Sequence, residues 1–200
     1  MGALSRDGER LRGANPTLLD LLVELETLDR LPRSGYLLRG VPDCESVAEH
    51  SFHLALIVRL LAAGEPGLDV ARAVEIALVH DVAELRIGDL PRTGARYFPA
   101  GAKHEAERLA AADILAPADA ALAANYAEYE AGASREARFV RACDKLQLMI
   151  KVSVYEAWGQ AGLAEFWRNP ENFPDEQFAT VAATFARLRE RFAPAAPPAG

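Results

Sequence analysis

Two hundred residues, half of them apolar, suffice for one domain with a sizeable core, and no break in composition divides the chain. A formal charge of −7 without any basic run of five residues opposes the broad positive field that polymeric nucleic acid requires, so DNA or RNA is not the expected partner. Neither end carries a run of roughly 18 apolar residues, Met1 to Arg12 lacks the apolar middle of a secretory signal, and Cys44 and Cys143 lack the spacing of a zinc or disulfide framework. The expectation is a soluble cytoplasmic chain with reduced thiols and no membrane partner.

No segment alternates apolar and polar residues over a useful length, whereas apolar residues recur at helical spacing almost throughout, so the fold class is all-α, a single helical bundle. The predicted helices cover about 16–30, 45–63, 69–86, 101–115, 117–131, 134–158, 160–168 and 175–192. Asn15-Pro16 opens the first and the Leu-Pro-Arg-Ser-Gly segment from Leu31 to Gly35 breaks it. Gly64-Glu65-Pro66-Gly67 ends the second, and Asp69 offers a cap to the third. From Gly88 through Pro99 runs a loop long enough to suggest function. The domain spans about 15–192, with a flexible start over 1–14 and a flexible proline-rich tail over 193–200.

Three of these helices carry chemistry. His50 lies on the second, His80 and Asp81 on the third, and Asp144 on the long one near the C-terminus. Two imidazoles and two carboxylates from three helices can close on one divalent cation, which places a metal site between helices. In Ala77-Leu78-Val79-His80-Asp81-Val82-Ala83-Glu84, three ionisable groups interrupt an apolar run. Burying them unpaired costs several kcal/mol each, and a cation removes that cost. Asp144 is less distinctive alone, because Lys145 or Arg141 offers it a partner. Glu84 follows His80 by four residues and Asp81 by three, on the same helix edge, which makes it the natural general acid/base.

The ordered pattern His, His-Asp, Asp resembles the HD-domain phosphohydrolases. The strings Glu45-Ser46-Val47-Ala48-Glu49-His50-Ser51, His80-Asp81-Val82-Ala83-Glu84 and Ile87-Gly88-Asp89-Leu90-Pro91 are similar to the 5'-deoxynucleotidase branch of that family. The resemblance implies an HD-domain bundle that removes phosphate from deoxyribonucleoside 5'-monophosphates. It further implies one divalent metal, commonly cobalt or manganese in vitro, and a homodimer. It matches His50, His80, Asp81 and Asp144 to the metal ligands, and Glu84 and Asp89 to acidic residues that handle catalytic water and substrate. Read from its surroundings alone, Asp89 caps the turn after Gly88.

Pro32-Arg33-Ser34-Gly35-Tyr36 replaces the Arg-Trp of one bacterial subgroup and resembles the subgroup shared with eukaryotic proteins. Arg33 is then matched to the substrate-contacting arginine, with Arg39 as second candidate. Tyr36 offers either an aromatic edge to a sugar or a core side chain. His53 is assigned no role. Two-metal HD phosphodiesterases need further histidines between the His-Asp pair and the last aspartate, and only His104, in a charged string, is available, so one metal is expected.

The mixed nitrogen and oxygen donor set suits manganese, cobalt, iron or nickel better than structural zinc, with magnesium and catalytic zinc as further options. Two other functions stay open. One is an HD hydrolase of a nucleoside di- or triphosphate or an alarmone; the other is a non-catalytic nucleotide-binding HD module.

Overall fold

In the computed structural model, residues 17–174 and 177–193 are described. The start expected to be flexible, 1–14, and the tail 194–200 lie outside the described residues, as does the expected Asn15-Pro16 cap. Among the described residues every regular element is helical.

Helix α1 (Leu18–Leu25) opens on a capping box, in which Thr17 N–H donates to Asp20 Oδ2 at 2.8 Å and Asp20 N–H to Thr17 Oγ1 at 3.2 Å. The helix tightens into a 3-10 turn over Glu26–Arg30, so the predicted helix appears in two parts. Leu31 and Pro32 then run extended, and Pro32 pairs with Ser46 in an isolated antiparallel bridge. This bridge aligns the short α2 (Ser34–Leu37) with the start of α3 (Val47–Leu61).

A second capping box, Ser46 with Glu49, starts α3. Val47, His50, Leu54 and Val58, spaced by three and four residues, form its buried face. Together with the following turn, Val47–Gly64 is long and apolar enough to span a membrane, but it also packs on the helices Val70–Val79 and Arg135–Ala157 of the bundle.

Helix α4 (Val70–Val79) starts at Asp69 as expected, with Arg72 N–H donating to Asp69 Oδ1 at 3.1 Å. The predicted continuation to residue 86 fails at the functional residues. The chain leaves the α-helix at His80, turns through Asp81–Ala83, and resumes as α5 (Glu84–Ile87). His80 Nδ1 bonds the Ala77 carbonyl at 2.8 Å, the acceptor that the Asp81 amide uses in a continuous α-helix. Val82 and Glu84 instead donate three residues back, to Val79 and Asp81, at 3.1 and 3.0 Å.

Gly88 adopts φ +76°, a left-handed turn that suits glycine, and α6 (Arg92–Ala95) occupies part of the predicted loop. The outer wall is α7 (Ala102–Leu115) and α8 (Ala120–Ala131), followed by α9 (Arg135–Ala157), α10 (Ala164–Arg168) and α11 (Ala179–Phe192). Helix α10 starts later than the predicted 160 because Gly159 and Gly162 take positive φ. Asp175 and Glu176, in the predicted last helix, lie outside the described residues.

Among the described residues, two apolar clusters hold the bundle. The larger joins α3, α4, α9 and α11 through Leu54, Ile76, Phe139, Met149 and Phe185. The smaller packs Val79, Val82, Ala83 and Leu85 against α7 and α8. Helix α4 passes from one cluster to the other between Ala77 and Val79, so His80 and Asp81 emerge at the seam.

Candidate metal centre

His50, on α3, is fully buried, and His80, at the C-terminal end of α4, is 3% exposed. Their Nδ1 atoms are both committed, His50 to Gln147 Oε1 at 2.8 Å and His80 to the Ala77 carbonyl at 2.8 Å. Each acceptor takes a ring N–H, so each neutral imidazole presents a bare Nε2. Those two Nε2 atoms face one another at 3.1 Å. Two lone pairs at that distance repel unless a positive charge lies between or beside them.

The carboxylates supply the rest of the donor set. Asp144 Oδ1 is 3.2 Å from His50 Nε2, while Asp81 Oδ2 is 3.1 Å from His80 Nε2 and 3.6 Å from His50 Nε2. Donors about 2.1 Å from a common ion at right angles stand about 3 Å apart, so these separations suit one ion. His50, His80 and Asp144 offer ligand atoms all within 4.8 Å of each other and are able to hold it. Asp81 divides its oxygen between the imidazoles and Arg33 Nη1, 2.8 Å away.

The local field favours a cation. Burial disfavours a charged imidazole, yet Asp81 and Asp144 outweigh it and raise the pKa of His80. Burial likewise opposes ionisation of Asp81 and Asp144, but His80 and Arg33 for the first, and Lys145 and His50 for the second, hold both carboxyls well below their usual range.

Glu84, at the start of α5, is 6% exposed, and its Oε2 is a buried oxygen without a hydrogen-bond partner among the described residues. Burial, followed by the charges of Asp81 and Asp89, pushes its pKa up to about 10, against the opposing effect of Arg33. A carboxyl in that condition can hold a proton or pass it on.

Arg33 enters from the segment bridged to α3. Its Nη1 is 3.8 Å from Glu84 and its Nε 3.9 Å from Asp89, so one guanidinium faces three acidic residues. Asp89 Oδ2 also accepts the Ser34 amide at 2.8 Å, and the Asp89 carbonyl accepts Ser34 Oγ–H at 2.7 Å. Asp89 therefore caps an element 55 residues away as well as following the Gly88 turn. These groups line a cavity of about 760 Å³, within the range of small-ligand sites.

Arg39 lies on the rim of that cavity, paired with Glu165 and stacked 4.9 Å over Phe166. Tyr36 is a core side chain, 2% exposed, with its hydroxyl donating to the Leu148 carbonyl at 3.2 Å. His53 stands apart, 3.8 Å from Glu45 and half exposed. His104 groups with Glu107 and Glu130 at the cavity mouth, but Lys103 Nζ already supplies positive charge to Glu107 at 2.6 Å.

The sequence reading overlooked Gln147 and assigned no role to the Glu45 side chain. Gln147 interrupts the apolar string Leu146-Gln147-Leu148-Met149 three residues after Asp144, the same kind of signal that singled out His80.

The family model described as HD domain matches residues 25–181. The human 5'-deoxynucleotidase HDDC2 is 35% identical over 144 residues, covering 70% of this chain and 69% of its own. The 5'-deoxynucleotidase hdd1 of Schizosaccharomyces pombe is 32% identical over 158 residues, covering 74% and 76%. A solved structure of a conserved hypothetical protein from Pyrococcus furiosus superimposes with a TM-score of 0.76 at 33% identity, covering 86% of this chain and 99% of that one. With its broken helix, its paired imidazoles and these relatives, the chain belongs to the HD-domain family.

Proposed function

We propose that the protein is a metal-dependent phosphohydrolase that converts deoxyribonucleoside 5'-monophosphates to deoxyribonucleoside and phosphate. The observation that carries this reading is the pair of imidazole Nε2 atoms 3.1 Å apart, flanked by the carboxylates of Asp81 and Asp144. The relatives named 5'-deoxynucleotidase support the substrate class.

In this reading His50, His80, Asp81 and Asp144 hold one divalent ion, with cobalt or manganese the first candidates. Such an ion lowers the pKa of bound water and offsets charge on the phosphate. In this reading Glu84 takes a proton from the attacking water and returns one to the leaving 5'-oxygen, a role supported by its buried Oε2, which has no hydrogen-bond partner among the described residues. An ion held by these residues would offset part of the Asp81 charge that raises Glu84, so that Glu84 could accept a proton more readily. Arg33 pairs with the phosphate, an anion that a guanidinium grips in two places. Asp89 keeps Ser34 and hence Arg33 in position and meets the substrate from the same wall. Arg39 serves the outer part of the cavity. The protein acts as a cytoplasmic homodimer.

The deciding experiment is phosphate release by metal-stripped protein from matched deoxy- and ribonucleoside monophosphates, with cobalt, manganese, magnesium, iron, nickel or zinc restored one at a time. Release only from di- or triphosphates would favour a different nucleotide hydrolase. Nucleotide binding with no release under any metal would make the protein a binding module.

A further inference from the structure

Behind the ligands, away from the cavity, a buried polar chain ends on His50. Lys151 Nζ is 3.0 Å from Glu45, and the Gln147 amide nitrogen donates to both Glu45 oxygens, at 3.1 and 2.9 Å. The other end of that amide, Oε1, meets His50 Nδ1 at 2.8 Å. Glu45 is 4% exposed and Gln147 2%, so the chain is shielded from water.

Hydrogen-bond direction follows from chemistry. An ionised carboxylate only accepts, so the amide end facing Glu45 is the NH2 group and the end facing His50 is the oxygen. An oxygen there accepts, so the neutral His50 ring carries its hydrogen on Nδ1 and its lone pair on Nε2. If the amide turned over, its NH2 would meet His50, the hydrogen would move to Nε2, and the ring would present a donor where a lone pair is needed.

We propose that Gln147 and Glu45 are positioning residues that lock the His50 tautomer, with Glu45 acting at one remove by fixing the amide. The proposal rests on His50 being a metal ligand. Glu45 is itself anchored through its backbone, donating to the Tyr155 hydroxyl at 2.7 Å and accepting the Arg33 amide at 2.9 Å. His80 obtains the same tautomer from a main-chain carbonyl. One imidazole is thus oriented by backbone, which substitution leaves in place, and the other by two replaceable side chains. Their positions suit a common framework, since Asp144, Gln147 and Lys151 recur at three and four residues along α9.

Two readouts test this in the full chain: imidazole nitrogen NMR of the metal-free protein at a pH where His50 is neutral, and calorimetric titration with Co2+. Wild type is expected to show the Nδ1–H tautomer. Glu45→Gln lets the facing amides rotate and Gln147→Met removes the acceptor, so each should mix or invert the tautomer and weaken Co2+ binding about 10- to 100-fold. Gln147→Glu alone opposes two carboxylates and should also weaken binding. The reciprocal double variant, Glu45→Gln with Gln147→Glu, restores the order of donor and acceptor and should recover the tautomer and most of the affinity. Packing alone does not give that recovery. An Nε2–H tautomer in wild type, unchanged Co2+ affinity in Glu45→Gln and Gln147→Met, or a double variant no better than its parents overturns the lock. The Nδ1–H tautomer in a wild type that binds no Co2+ would support the lock and overturn the metal reading instead.

Discussion

His50 and His80 point their Nε2 atoms at each other across 3.1 Å, although each is buried on a different helix with its other ring nitrogen already bonded. Such an arrangement is unfavourable for the bare protein and favourable around a cation. His50→Ala, His80→Ala, Asp81→Ala and Asp144→Ala should therefore each lose bound metal and metal-dependent phosphate release. Metal content after dialysis and turnover check this together. Near-normal affinity and turnover in Asp144→Ala would remove it from the ligand set.

Glu84→Gln keeps the size of the side chain but cannot take a proton, so turnover should fall by about 10²-fold or more with metal retained. The same variant should be more stable than wild type when metal-free. Glu84 has an ordinary pKa of 4.5 and is pushed up to about 10 in the fold. Between those values the folded protein keeps a proton that the unfolded chain releases, so stability falls as pH rises through that window. Glutamine has no proton to lose. A thermal midpoint several degrees higher at pH 8, with little difference at pH 4, is the expected melting result; equal midpoints at both would mean Glu84 is not strained.

Metal affinity should weaken as pH falls, because a proton and a metal compete for the His80 lone pair. Against the effect of burial, Asp81 and Asp144 raise the pKa of His80, which moves that competition to higher pH. Its proton stabilises the metal-free protein fully below its unfolded value and ceases to do so as pH rises through the folded one. Metal should consequently raise the melting temperature more at pH 8 than at pH 6. A pH-independent metal shift would contradict the assignment.

Substrate choice should turn on the sugar. A pocket closely packed against a deoxyribose leaves an added hydroxyl unpaired, at about 1–3 kcal/mol or roughly 10- to 100-fold in rate. Comparison of kcat/KM for matched deoxy- and ribonucleoside monophosphates measures this, and equal values would leave a phosphohydrolase without sugar selectivity.

Arg33→Lys should raise KM and Arg33→Ala should raise it further, since an ammonium cannot make the two-pronged contact of a guanidinium; metal content is measured alongside, because Arg33 also pairs with Asp81. If both variants kept wild-type KM and kcat, Arg33 would be confined to its pairing with Asp81, and Arg39 would become the arginine to test.

The convergence of His50, His80 and Asp144 was legible because ionisable residues within apolar helical strings are expensive to bury without a partner. The stop after Val79 was not legible. Apolar residues continue at helical spacing through Val82, Ala83 and Leu85, and only the His80 bond to the Ala77 carbonyl reveals the break. The turn after Gly88 was correctly placed, yet its aspartate reaches Ser34 across 55 residues, a pairing that no local pattern encodes. Gln147 was missed although its polarity amid apolar neighbours was visible, since glutamine is neither a common ligand nor an acid. Its meaning depends on the direction of a neighbouring helix.

The seam between the apolar clusters gives the site a mechanical division. His50 and Asp144 sit on helices rooted in the larger cluster, whereas Glu84 sits on a turn rooted in the smaller one with Ala83 and Leu85. The packing that positions Glu84 is therefore separate from the packing that positions His50 and Asp144. A substitution in the α7–α8 wall, such as at Ile114, should then disturb Glu84 together with His80 and Asp81, which lie between Val79 and Val82 of the same cluster, while His50 and Asp144 keep their own support.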